Sequence, residues 1–98
     1  MTTELDPIHA GEILLNEFVL PSGLSINQTA HRLHVPPNRI ADICRGRRSI
    51  TADTAIRLAQ FYSVSVEVWT GLQSDYELRV ARRKLGDNLN KIQPIPHG

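Results

Sequence analysis

Apolar side chains recur three and four residues apart along most of this chain, and proline and glycine interrupt the pattern at intervals. Ile13, Leu14, Phe18 and Leu20 fall near helical spacing and predict a first helix from about His9 to Val19. The run "PSGLS" should break it, since proline lacks an N–H and glycine readily leaves the helical conformation. Ser25 offers an N-cap to a second helix, "INQTAHRL", and Gln28 three residues later completes a capping box. This helix ends near Leu33, and "HVPP" turns the chain. A third helix, "PNRIADICR", opens with Pro37 in its first turn, where a missing N–H costs nothing, and stops at Gly46. "GRRSI" reads as a loop. Thr51 heads a fourth helix, "ADTAIRLAQFY", with Ala55, Leu58, Ala59 and Tyr62 on one face and Asp53 favouring its N-terminus. Ser65 and Glu67 start a long fifth helix, about Val66 to Lys84, with Trp69, Leu72, Tyr76 and Val80 at helical spacing. No run alternates with period two, so no sheet is expected.

The fold class is therefore all-α, a five-helix bundle. A chain of 98 residues makes one domain, assigned to residues 1–86, with a flexible tail over 87–98 rich in Asn and Pro. An apolar content of 41% with only 5% aromatics suits a small core of Leu, Ile, Val and Ala. The single cysteine, Cys44, excludes an internal disulfide and fits a reducing compartment. The N-terminus "MTTELDPIHAGE" shows no basic leader, and no apolar run approaches a membrane span, so a cytoplasmic protein is expected.

A net charge of +1 argues against a nucleic-acid partner until its distribution is considered. Residues 1–31 hold four acids and no Lys or Arg, whereas residues 32–48 hold five arginines against one acid, Asp42. A second basic block, Arg79, Arg82, Arg83, Lys84 and Lys91, faces only Asp87. Such a chain can present a positive face despite its balance. The latter block also suits a solvated helix C-terminus, where cations are favoured.

The basic run from Arg32 to Arg48 coincides with helices two and three. Ala30, Leu33, Val35, Ile40 and Ile43 are the apolar positions of this pair, the spacing of a helix-turn-helix, with small Ala30 permitting a close crossing. If Ile40 and Ile43 face inward with Cys44 beside them, Asn38, Asp42 and Arg45 fall outward, with Arg39 and Ala41 at the margins. Side chains of this kind reach base edges in a major groove, so Asn38, Arg39, Asp42 and Arg45 are the candidate base readers. Asp42 has two readings: it accepts from a cytosine amino group, or, as we prefer, it pairs with Arg39 or Arg45. Arg47, Arg48, Ser49 and Thr51 follow at once and would face the sugar-phosphate backbone, with Gln28 and Pro37 completing the phosphate-binding set.

The segments "HAGEILLNEF", "VPPNRI", "GRRSITADTAIRLA" and "WTGLQSDYEL" resemble the HigA/VapI family of antitoxins, within the lambda-repressor-like (XRE) helix-turn-helix group, over about residues 7–84. The resemblance implies a five-helix repressor fold, a homodimer on the palindromic promoter of its own operon, and a HigB-like toxin partner of the RelE-like mRNA interferase group. A solitary regulator of the same fold without a toxin is the alternative. Two departures stand out: His34 occupies a position where glycine is common and left-handed backbone is needed, and Pro37 replaces a base-reading side chain.

The stripe of Trp69, Leu72, Tyr76 and Val80, with Gln73 included in it, reads either as core or as a dimer seam, and we assign Trp69, Leu72, Tyr76 and Val80 to dimerisation because the long helix carries more apolar face than its neighbours need. The acidic first helix around Glu12 and Glu17 is a charge-based candidate for a basic toxin. His9, His31, His34 and His97 lack metal-ligand spacing, so no metal and no cofactor are expected. His9 and Glu12 share a helical face, but no nucleophile, phosphate loop or carboxylate pair accompanies them, so no enzyme is expected.

Overall fold

The computed structural model describes residues 6–96, and among these it contains five helices and no strand. Helix α1 spans residues 10–22 as three continuous pieces: α-helical Ala10–Ile13, a π-helical stretch Leu14–Val19, and a final turn Leu20–Ser22. Then come α2 (Ile26–Leu33), α3 (Pro37–Cys44), α4 (Ala52–Tyr62) and α5 (Val66–Leu85). A 3₁₀ helix, Gly86–Lys91, follows with every side chain exposed, where the sequence pattern suggests only a tail.

The first helix runs three residues past its expected end. Its π stretch is widened, with the Leu20 N–H bonding the Leu15 carbonyl five residues back. Pro21 lies in the last turn, directly after the widened π stretch, and Ser22 Oγ donates to the Val19 carbonyl at 2.6 Å. Gly23, at φ 78°, ends the helix. The capping box of α2 is formed in both directions: Gln28 N–H donates to Ser25 Oγ at 3.0 Å, and Ser25 N–H to Gln28 Oε1 at 2.9 Å.

Left-handed residues end the next helices in the same manner. His34 (φ 59°) follows α2, with its own N–H on the His31 carbonyl and the Val35 N–H on the Ala30 carbonyl, both at 3.1 Å. This is the Schellman pattern, and it holds Val35 buried against the start of the turn. The left-handed backbone anticipated at His34 is present. Gly46 (φ 76°) closes α3 identically, with Gly46 N–H on the Ile43 carbonyl and Arg47 N–H on the Asp42 carbonyl at 2.8 Å. Ser63 (φ 56°) ends α4, with Val64 N–H on the Ala59 carbonyl.

Helices α2 and α3 pack on one another, as do α4 and α5, and α1 lies across α3 and α5. Leu14, Ala30, Ile40, Ile43, Leu58 and Trp69 meet in the centre with no exposed surface. The crossing of α1 over α3 is set by Gly11: a Cβ there would lie 1.6 Å from the Ile43 carbonyl oxygen. Only glycine lets the two backbones approach this closely.

The structure corrects the assignment of Trp69 to a dimer seam. Trp69 is 0% exposed within one chain, packed against Phe18 (ring centroids 4.6 Å apart) and Tyr62 (6.1 Å). Leu72 is half-buried against the same core, and Tyr76 is half-buried with its ring on His9 at 4.7 Å. The face expected to be spare is used to cover α1 and α4. Exposed apolar side chains on this helix and after it include Val68, Leu78, Leu85 and Leu89. Among the described residues no helix is long and apolar enough to cross a membrane. No cluster of three metal-binding side chains occurs among them, and His97 lies outside them.

Candidate nucleic-acid interface

Helix α3 buries Ile40 and Ile43 and turns Asn38 and Arg45 to solvent, with Arg39, Ala41 and Asp42 half-buried at the borders. This is the amphipathic arrangement expected from the apolar spacing. The Schellman closure at Gly46 then sends Arg47, Arg48 and Ser49 along the same exposed edge. Arg39, Arg48, Ser49, Thr51, Asp53 and Thr54 line a cleft of about 370 Å³ between the first turn of α3, the loop after α3 and the start of α4. Two guanidinium groups and three hydroxyls in one cleft form a donor set suited to phosphate oxygens.

Several side chains in this region are already engaged. Arg39 Nη1 donates to Asp53 Oδ1 at 3.2 Å. Arg57 Nε donates to the same oxygen at 2.8 Å, and Arg57 Nη1 donates to the Leu33 carbonyl at 2.9 Å and the His34 carbonyl at 3.3 Å. Arg57 thus satisfies two carbonyls of the turn between α2 and α3 while steadying the carboxylate that holds Arg39. The hydrogen bond from Arg57, with the charges of Arg57 and Arg39, keeps the Asp53 carboxyl below its ordinary pKa. Asp42 pairs with Arg48 at 3.9 Å, not with Arg39 or Arg45; the ion-pair reading had the wrong partner, because the Gly46 turn folds the loop back over α3. Pro37 lies exposed at the first turn of α3 but has no N–H, so it offers a phosphate no donor and only contact surface. Gln28 is exposed at the start of α2, with its Oε1 committed to the capping box and its amide N–H groups available as donors. Thr51 occupies the N-cap position of α4 but its hydroxyl bonds no helix N–H; it lies 3.4 Å from Thr54 Oγ1.

Behind this face, His9 Nδ1 accepts from Gly11 N–H at 2.9 Å and caps α1. Burial lowers the His9 pKa, against a smaller opposing pull from Glu12. Cys44 is half-buried, and burial raises its pKa, which keeps it a thiol.

Sequence reasoning missed Asp53 and Arg57 as parts of this region, although their i,i+4 spacing signals a pair. It also placed Gln73 in an apolar stripe, where a polar residue at a buried helical position should have marked a specific bond. Gln73 is buried, and its Oε1 accepts from the Ile50 N–H at 2.9 Å.

A family model described as "Helix-turn-helix" matches residues 15–69. Virulence-associated protein I of Dichelobacter nodosus is 41% identical over 92 residues, covering 94% of this chain and 84% of that protein. The Pseudomonas aeruginosa antitoxin HigA, solved with the higBA promoter, is similar with a TM-score of 0.87 and 38% identity over 92% of this chain and 99% of that one. A further Pseudomonas aeruginosa chain, solved with its 18-bp operator DNA, gives a TM-score of 0.89 at 38% identity over 94% of this chain and 100% of that one. The family match takes in α2, the turn at His34, α3 and the basic loop, more than half of the chain, and the protein belongs to the helix-turn-helix family, in its HigA/VapI branch.

Proposed function

We propose that this protein is a repressor that binds the operator of its own operon as a homodimer, and that it is the antitoxin of a pair whose toxin is a HigB-like, RelE-type mRNA interferase. The observation that carries the reading is the polar cleft beside the exposed face of α3, where Arg39 from its first turn and Arg48 from the loop after it meet among hydroxyls. In this reading α3 enters the major groove, Asn38 and Arg39 meet base edges, and Arg45 assists at the far end. Arg47, Arg48, Ser49, Thr51 and Gln28 hold phosphates, and Pro37 packs on sugar. The Arg39–Asp53 and Arg48–Asp42 pairs are partly exposed, so exchanging them for DNA costs little, since such pairs contribute about 0–1 kcal/mol each.

A palindromic site calls for two copies: an eight-residue α3 is only about 12 Å long and spans one half-site, and half-sites lie about one helical turn apart. The dimer contact falls to the apolar side chains left free on the outer part of α5, Leu78 (50% exposed) and Leu85 (43%), with Val80 half-buried between them. The acids Glu12 and Glu17 on the exposed side of α1 are offered to a basic toxin.

A reporter driven by the DNA upstream of this gene, combined with co-expression of the neighbouring reading frame, tests the proposal. Repression by this chain, with rescue from a growth arrest caused by the neighbour, is the expected result. Repression beside a harmless neighbour would leave a solitary regulator and remove the antitoxin half. Absence of repression and of rescue would overturn both.

A further inference from the structure

The loop from Arg47 to Thr51 is tied down at both ends. The Gly46 closure fixes Arg47, and the Thr51 carbonyl accepts the first intrahelical bond of α4 from the Ala55 N–H at 2.8 Å. Between these points Arg47, Arg48 and Ser49 are exposed, whereas Ile50 is buried. The backbone N–H of Ile50 goes under with its side chain and needs an acceptor. Gln73, on α5 and 23 positions away in sequence, supplies it at 2.9 Å. Its other amide atom, Nε2, donates to Glu77 Oε1 at 3.0 Å, one turn further along α5. The two bonds define each other. With Glu77 Oε1 accepting from the amide nitrogen, Gln73 Oε1 is left directed at Ile50.

We infer that Gln73 is a positioning residue for DNA binding: it grips the middle of the basic loop from α5 and holds Arg47, Arg48 and Ser49 in register for phosphates, with Glu77 fixing its orientation. The inference rests on the reading of this loop as the phosphate-binding segment. Loss of the acceptor leaves a buried N–H unpaired, and the loop must lift Ile50 outward to reach water. The arginines then leave the line set by α3.

Two variants of the full chain test this, measured against an operator fragment over a series of salt concentrations. Gln73→Met keeps the length and loses both bonds. The double exchange Gln73→Glu with Glu77→Gln keeps an acceptor for Ile50 and a donor between the two side chains. Thermal unfolding shows that each is folded at the assay temperature. Gln73→Met is expected to bind about tenfold more weakly, as fits a lost buried bond. Its plot of log affinity against log salt should flatten by about one unit, the loss of one phosphate contact. The double exchange should restore the slope. A purely structural role would lower the unfolding temperature and leave the slope alone. Wild-type affinity and slope in Gln73→Met overturn the inference, as does a folded double exchange that stays flattened. Should Gln73→Met not fold, the slope of the double exchange decides: wild-type supports, flattened overturns. Arg47→Ala, measured beside them, separates the premise. If it keeps the wild-type slope, the loop does not bind phosphate and the premise itself fails.

Discussion

Gly11 carries more of the architecture than its missing side chain suggests. Its Cα rests on the backbone of α3, with the Ile43 carbonyl in the space a Cβ would take. Neither backbone can yield without moving a helix, so Gly11→Ala should destabilise the protein by about 3 kcal/mol, the upper range of overpacking; chemical denaturation measures it. His9 gives a pH signature. Its folded pKa lies below the usual 6.5, chiefly through burial, so the unfolded chain binds the proton more readily. The His9 contribution is intact above about pH 6.5 and is lost as pH falls toward the lowered value. His9→Asn retains a capping acceptor without titrating there, and should show a smaller loss of thermal stability between about pH 7 and 5 than the wild type. These roles differ in how far the sequence exposes them. His34 was legible through the resemblance, because it stands where helix-turn-helix chains commonly carry a left-handed glycine. Gly11 was not, because its requirement comes from a helix some thirty positions away in sequence. Gln73 was misplaced for a related reason: apolar spacing predicts burial but does not name the partner.

At the scale of elements, helices α2, α3, α4 and α5 were readable almost to the residue, because each has a cap or closure written into its ends. Helix α1 was read short. Proline in the pattern reads as a helix end, yet the chain continues one turn past the π stretch, and the wider turn of that stretch departs from the 3.6-residue period. The stripe on α5 shows the limit of periodicity. It marked a buried face correctly and could not say whether the cover was another chain or α1 and α4. The same logic gives a test of the α3 closure. Gly46 is left-handed at φ 76°, so Gly46→Ala should cost about 1–2 kcal/mol in thermal or chemical unfolding. It should also weaken DNA binding, since the Arg47 N–H bond to Asp42 belongs to the same turn.

For the whole molecule, the proposed DNA binding of a near-neutral chain rests on segregation of charge. Folding gathers Arg39, Arg45, Arg47 and Arg48 along α3 and the loop after it, with Arg39 and Arg48 sharing one cleft. That concentration was legible from composition along the chain. The cross-links that arrange it, Asp53 with Arg39 and Arg57 and Gln73 with Ile50, were not, because they join residues brought together only by folding. The central claim is that α3 reads bases while the loop after it holds phosphates. The most direct measurement is the affinity of the wild type, Asn38→Ala and Arg47→Ala for an operator fragment, its single-base variants and unrelated DNA, across a salt series. The account predicts that Arg47→Ala weakens binding to all sequences alike and flattens the salt slope by about one unit. It predicts that Asn38→Ala keeps the slope and loses ~1–3 kcal/mol chiefly at one base position. Uniform loss for both variants, with no base position singled out by Asn38, would contradict it.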